Sequence, residues 1–241
     1  MQTATEILTA FLPGRFRQYL RACHRKFIFW SSMRRFMTDP QSILDKNTDD
    51  ISNLIYGWGN ESWSALEEYI VACLKFANQS SGPILECGSG LTTILLGVVA
   101  QRSGNTVWSL EHNLDWQGRV TKYLRRYRIK SVHLYLSELQ DYGEFSWYAP
   151  PLDEMPEKFS MVVCDGPPGD TRGGRYGLLP IMKSRLAPNA VILLDDARRQ
   201  GEFATASRWA NELKSSFVTL GTHKPFIKII VPDTDKIASL A

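Results

Sequence analysis

Cysteine is scarce in this chain of 241 residues, and the four present, Cys23, Cys73, Cys87 and Cys164, have no Cys-x-x-Cys spacing. Neither a disulfide framework nor a structural zinc site is expected, since each needs clustered thiols. Three of the four lie inside apolar runs, where a thiol behaves as a small hydrophobe. Histidine is equally sparse, and His24, His133 and His223 show no ligand spacing and read as structural. No run approaches the roughly 20 apolar residues that a membrane span needs, and the N-terminus lacks the apolar core and small-residue cleavage site of a signal peptide. A cytoplasmic protein is the expectation. Internal repeats and low-complexity tracts are also missing, which sets aside solenoids and compositionally disordered chains.

What is present is a hydrophobic content of 44%, enough for a sizeable α/β core. Charge is unevenly placed. Residues 1–40 carry seven Arg or Lys against Glu6 and Asp39, which leaves the rest of the chain near −2. In that segment Phe16, Leu20, Cys23, Phe27 and Trp30 recur at helical spacing, with Arg15, Arg17, Arg21, Arg25 and Lys26 largely on other faces. Such a basic amphipathic helix can rest on an anionic membrane surface, giving a peripheral location, or bind nucleic acid. Packing of its apolar stripe against the domain is the usual fate and the one expected here. The polar stretch 45–50 marks a boundary between an N-terminal arm, 1–50, and a domain, 51–241.

After the boundary, helical and strand patterns alternate. Helices are predicted at 61–77, 91–102, 116–127, 175–186 and 202–215, and strands at 84–87, 106–110, 132–136, 159–164 and 190–194. Residues 140–158 hold three prolines and four aromatics without a clear period, and read as a loop over a site rather than core. Two last strands, 217–220 and 226–231, are separated by only five residues, a hairpin and not a crossover. The fold class is α/β: a doubly wound, mostly parallel sheet with an antiparallel C-terminal hairpin.

Ligands of such sheets bind at the carboxyl ends of the strands. There Glu86, Gly88, Ser89 and Gly90 end the first strand, and the helix that follows offers free N–H groups, with Thr92 in its first turn. Glu111 closes the second strand 21 residues after Gly90, where a carboxylate can accept both hydroxyls of a ribose. A nicotinamide-binding turn wants a third glycine where Thr93 stands. Through Glu86-Cys87-Gly88-Ser89-Gly90, Glu111 and Asp165-Gly166-Pro167-Pro168, the chain resembles the class I S-adenosylmethionine-dependent methyltransferases over roughly residues 61–232. The resemblance implies seven strands. It also implies that Glu86 to Gly90 face the amino acid part of the cofactor, that Glu111 faces its ribose, and that residues 137–139, ending at Leu139, face its adenine edge. His112, beside Glu111, is placed to stack near the cofactor.

The fourth and fifth strands end in acids: Asp165, then Asp195 and Asp196. This is similar to catechol O-methyltransferase-like enzymes, which bind magnesium through an aspartate after strand four and an Asp-Asn pair after strand five. Here Asp196 replaces the asparagine, and Pro168 stands where those enzymes carry a lysine base. Three carboxylates at one mouth need a compensating cation. A Mg2+ ion held by Asp165, Asp195 and Asp196 is one reading; pairing with local arginines or capping of the next helix is the other. Asp165 and Asp196 are the candidate catalytic acids. Residues 170–176 form a loop that either presents Arg172 and Arg175 to a substrate or is merely exposed. Trp58, Trp63, Trp147 and Tyr148 are either pocket or core, and the Gly57-Trp58-Gly59-Asn60 stretch reads as a turn.

The function this implies is methyl transfer from S-adenosylmethionine to an oxygen or nitrogen of a small molecule. RNA or protein methylation through the basic arm is the alternative within the fold. A non-catalytic or nicotinamide-binding protein is the alternative outside it.

Overall fold

The structure, a computed structural model, describes residues 14–46, 49–60 and 65–233. It divides into two compact units, and the division falls between Ser64 and Ala65 instead of after residue 50. The displacement has a simple cause: residues 50–58 are a helix that completes the first unit.

That unit holds helices α1 (Gly14–Thr38), α2 (Pro40–Lys46) and α3 (Asp50–Trp58). Phe29, Met33 and Phe36 on α1 and Ile51, Leu54 and Trp58 on α3 recur at the spacing that puts each set on one helix face, and all are buried. The rings of Phe29 and Trp58 lie 6.2 Å apart, and Arg35 Nε donates to Asp50 Oδ1 at 2.8 Å. The stretch Gly57 to Asn60, expected as a turn, is the end of α3, capped by Gly59 in the left-handed region at φ 70°. Trp63 lies outside the described residues. The stripe expected to pack, Phe16, Leu20, Cys23, Phe27 and Trp30, is exposed. Another face of the same helix supplies the packing.

The second unit runs α4 (Glu67–Gln79), β1 (Ile84–Cys87), α5 (Leu91–Ser103), β2 (Val107–Glu111), α6 (Leu114–Arg126), β3 (Val132–Leu136), β4 (Leu139–Asp141), β5 (Ser146–Tyr148), β6 (Phe159–Cys164), α7 (Leu178–Met182), β7 (Leu186–Leu194), α8 (Gln200–Leu213), β8 (Phe217–Leu220) and β9 (Phe226–Ile230). Seven strands form one sheet in the order β3-β2-β1-β6-β7-β9-β8. The first five are parallel, and β9 is antiparallel to both β7 and β8. This is the doubly wound sheet with a terminal hairpin that the sequence predicts. Its central strands are largely apolar because both faces are covered: β1 is buried at every position, Glu86 included. Leu85, Cys87, Val162, Cys164, Ile192 and Leu194 point into one core with Trp147, Tyr148 and Trp209.

Two segments depart from expectation. Residues 140–158 are not loop throughout: β4 and β5 pair as a hairpin, and Trp147 and Tyr148 at its end are fully buried. The helix predicted at 175–186 shrinks to Leu178–Met182, followed by a 3-10 turn at Lys183–Arg185 and by β7, which begins at Leu186. Arg175 is the reason for the late start, since its guanidinium is drawn into the sheet edge instead of out to solvent. Replacing the buried Trp147 with Ala is expected to lower stability by about 3–5 kcal/mol, read from urea denaturation. A loop position would lose under about 0.5 kcal/mol.

Candidate cofactor and acid–base site

Strand register assembles the site. Cys87 on β1 pairs with Cys164 on β6, and Cys164 with Leu194 on β7, so the residues after all three strands emerge side by side. Gly88, Asp165 and Asp195 are therefore neighbours at one sheet edge.

On the β1 side, Gly88 has φ 88°, a conformation that suits glycine. A Cβ there would meet the Gly166 nitrogen at 2.9 Å, so the β1 and β6 turns touch through their backbones. Gly166 N and Asp165 N both donate to Cys87 O, at 2.7 and 3.0 Å. Gly90 faces open space apart from Trp116, and it precedes the N-terminus of α5, where Thr92 lies in the first turn and Gly90 N donates to Thr93 Oγ1 at 2.8 Å. Glu111, almost fully buried at the end of β2, accepts from Ser89 N at 3.1 Å, Ser89 Oγ at 2.8 Å and Asn113 N at 2.8 Å. Trp116 Nε1 donates to Ser89 O at 2.6 Å and braces the same turn. Glu86, Gly88, Ser89, Gly90 and Glu111 are thus brought together at this edge.

Two further groups face this edge with buried polar atoms that have no partner among the described residues: Ser137 Oγ, just past β3, and Tyr148 Oη. A buried hydroxyl without a protein partner is one that an ordered water or a polar ligand can complete. Ser137 N donates to the backbone carbonyl of Glu111 at 2.7 Å, which fixes it beside the end of β2. Leu139 opens β4 opposite Tyr148, and the His112 ring lies 6.2 Å from the Tyr148 ring, with Nδ1 3.2 Å from Glu111 Oε1. Tyr148 was legible only as an aromatic of unknown place; its approach to Gly166 is a tertiary fact.

Glu86 lies deeper. Ser109 Oγ donates to its Oε2 at 2.6 Å. Burial pushes its carboxyl up to about 8, against the hydroxyls of Ser109 and Thr93, which pull it down. At neutral pH it is therefore a neutral acid inside the fold.

On the β6 and β7 side, Asp165, Asp195 and Asp196 offer oxygens within 4.8 Å of one another. Every one is already held by a cation. Arg175 Nη2 lies 3.1 Å from Asp165 Oδ1 and 3.0 Å from Asp196 Oδ2, and its Nη1 donates to Asp195 O at 2.9 Å. Lys224 Nζ, from the β8–β9 turn, lies 2.6 Å from Asp195 Oδ2 and 2.9 Å from Asp196 Oδ1. Arg199 Nη1 reaches Asp196 Oδ2 at 3.0 Å. These residues do not fit a Mg2+ ion, which would have to displace the Lys224 ammonium and face the Arg175 guanidinium. The arginine-pairing reading of the cluster is the one the geometry carries, with a lysine that sequence reasoning missed because it lies beyond β8.

The three acids differ. Burial, then repulsion from Asp165, pushes the Asp195 carboxyl up to about 6. Asp196 is held below the ordinary carboxylate range despite its burial, because Lys224, Arg175 and Arg199 favour its charged form. Enclosed by three cations, Asp196 is an anchor and not an open catalytic acid. Asp165 alone has a substantially exposed side chain, at 31%. In the loop 170–176, Arg175 is drawn into the cluster, and Arg172 makes an exposed pair with Asp141.

No protein-family model and no curated protein matches the sequence. Solved structures match in fold. The O-methyltransferase from Bacillus cereus, determined in complex with SAH, aligns with a TM-score of 0.56 at 18% identity, over 75% of this chain and 90% of that one. A protein described as a caffeoyl-CoA O-methyltransferase from Staphylococcus aureus aligns with a TM-score of 0.58 at 11% identity, over 80% of this chain and 98% of that one. The chain has the fold of the class I S-adenosylmethionine-dependent methyltransferases, as its motifs imply.

Two outcomes follow from the charges. Because folded Glu86 keeps its proton until about 8 while an unfolded glutamate loses it near 4.5, this residue costs stability as pH rises between those values. Glu86→Gln is expected to gain on wild type by a few kcal/mol between pH 5 and pH 8, measured by urea denaturation at each pH. Lys224→Met leaves Asp195 buried without its cation and is expected to cost about 3–5 kcal/mol at pH 7, with Lys224→Arg retaining most of it. The same denaturation series at pH 5, where Asp195 takes up a proton, is expected to show a smaller loss.

Proposed function

We propose that the chain transfers a methyl group from S-adenosylmethionine to an oxygen or nitrogen of a small-molecule acceptor. The observation that carries this reading is the contact of the two turns. The backbone beside Asp165, the open carboxylate of the cluster, touches Gly88 of the glycine turn, so a cofactor cradle and a proton-accepting group share one edge.

S-adenosylmethionine supplies an activated methyl on a sulfonium. The residues present fit it: Gly88 and Gly90 leave room for ligand beside backbone, the first turn of α5 offers N–H groups, and Ser137 Oγ and Tyr148 Oη await partners. Glu111 would accept the ribose hydroxyls, with Ser89 and Asn113 fixing its orientation. Holding donor and acceptor in line supplies much of the rate in such transfers. Asp165 would orient the acceptor and take its proton at a carboxylate oxygen, while the hydrogen bond from Arg175 Nη2 to its Oδ1 keeps it aimed. Lys224 and Arg199 hold Asp195 and Asp196, so the cluster stays ordered without a metal ion.

Calorimetric titration with S-adenosylhomocysteine is expected to show binding that weakens roughly a hundredfold in Glu111→Ala, which loses two charge-assisted hydrogen bonds to the ribose. Asp165→Asn is expected to keep that affinity and to lower turnover of any acceptor by roughly 10²- to 10⁴-fold. EDTA is expected to leave turnover unchanged. Binding of NAD with none of S-adenosylhomocysteine would overturn the reading, as would full activity in Asp165→Asn.

A further inference from the structure

Helix α1 has two apolar faces, and only one is accounted for. Phe29, Met33 and Phe36 are buried against the first unit's own core. At about 100° per residue, Phe16, Leu20, Cys23, Phe27 and Trp30 fall on a separate stripe, roughly 150° around the helix from that buried face. Phe16, Leu20, Phe27 and Trp30 are 36% to 61% exposed, Tyr19 at the stripe's edge is 64% exposed, and Cys23 is exposed between them. Phe27 and Trp30 lie 6.2 Å apart, centroid to centroid, as a solvent-facing aromatic pair.

The charges around the stripe are of one sign. Residues 14–38 contain seven Arg or Lys and no acidic residue. The helical repeat puts Arg15 and Lys26 along one flank of the stripe and Arg17 and Arg21 beyond the other, with Arg34 in line with it. The Arg34 guanidinium lies 5.9 Å from the Trp30 ring centroid.

We propose that this stripe docks on an anionic lipid bilayer surface, with the helix lying in the headgroup plane. Three partner chemistries differ in what each covers. A second copy of α1 would cover the apolar stripe but set basic flank against basic flank, with no acid on either helix to compensate. A nucleic acid would meet the arginines but leave an aliphatic and aromatic stripe facing phosphates. An anionic bilayer accepts both: aromatic and leucine side chains enter the acyl boundary, and the flanking arginines and lysine meet the lipid phosphates. No helix among the described residues is long and apolar enough to cross a membrane, so the contact is interfacial.

The test uses the full chain and vesicles of phosphatidylglycerol with phosphatidylcholine, against phosphatidylcholine alone. Cys23 is the exposed thiol while Cys73, Cys87 and Cys164 are buried, so a polarity-sensitive maleimide dye reports from the stripe itself. The expected result is a blue shift of the dye and co-sedimentation with the anionic vesicles only, weakened by 0.5 M salt. Arg17→Gln/Arg21→Gln/Lys26→Gln is expected to lower partitioning roughly a hundredfold. Phe27→Glu/Trp30→Glu is expected to abolish it with an unchanged melting temperature, since both side chains are exposed. Equal binding to neutral vesicles overturns the proposal, as does no binding to either. Concentration-dependent dimerisation that Phe27→Glu/Trp30→Glu abolishes, or RNA binding that the same variant leaves intact, overturns it in favour of the other two occupants. None of these readouts depends on methyl transfer, so failure here leaves the proposed activity untouched.

Discussion

Three carboxylates whose oxygens lie within 4.8 Å cannot all ionise in a partly buried site unless cations sit among them, and much of the second unit is arranged to bring those cations in. Arg175 arrives through a loop in which Gly173 and Gly174 adopt φ 74° and 54°, and its burial leaves α7 only one turn. Asp196 itself sits at φ 63°, a conformation that aspartate tolerates better than most residues and that turns its carboxylate toward Arg175, Arg199 and Lys224. Lys224 comes from the far hairpin. Its turn is pinned to α4, where Glu68 accepts from Thr222 N, Thr222 Oγ1 and His223 N. Those hydrogen bonds, led by the Thr222 hydroxyl, hold the Glu68 carboxyl down at about 2, so the clamp persists until pH falls from the ordinary value toward that range. The antiparallel edge of the sheet is thereby tied to the acids at its centre.

A second constraint acts one strand away. The β1 and β6 turns approach so closely that Gly88 and Gly166 exclude each other's Cβ. This contact sets the spacing between the glycine turn and Asp165, and it holds without any ionic pair. Glu86 and Glu111 show two ways of placing a carboxyl at such an edge. Glu111 accepts hydrogen bonds from backbone and side-chain donors; Glu86 is enclosed, and burial pushes its carboxyl up to about 8. The edge therefore presents one carboxylate for hydrogen-bond acceptance and one neutral acid beneath it.

The fold was legible because its signals are local. Apolar runs such as Ile84 to Cys87 and Phe159 to Cys164, each ending in a glycine or acid turn, are readable without a partner, and five residues between the last two strands permit only a hairpin. What escaped reading depended on distant partners. Trp147 and Tyr148 sit between aromatics and prolines that show no period, and only the hairpin pairing and full burial at its end show them to be core. Arg175 carries a helical pattern, yet ion pairing with Asp165 and Asp196 outweighs propensity. Lys224 lies 28 residues after Asp196 in a turn with no motif. The stripe on α1 had the right period for packing, but a helix can carry two apolar faces, and periodicity alone does not say which one is covered.

The charge balance of the cluster bears on what the site can hold. Asp165, Asp195, Asp196 and Glu202 face Arg175, Arg199 and Lys224, so full ionisation leaves one negative charge in excess. A bound Mg2+ ion would reverse that sign; an ammonium shared between Asp195 and Asp196 does not. Under the proposed reading, a mildly negative edge beside the glycine turn suits a sulfonium-bearing cofactor and leaves Asp165 able to accept a proton. Below about pH 6 Asp195 becomes neutral and the excess disappears, because burial disfavours its charged form. A lysine in place of a metal thus ties the electrostatics of the site to one buried aspartate, and the hairpin turn that carries that lysine becomes part of the site.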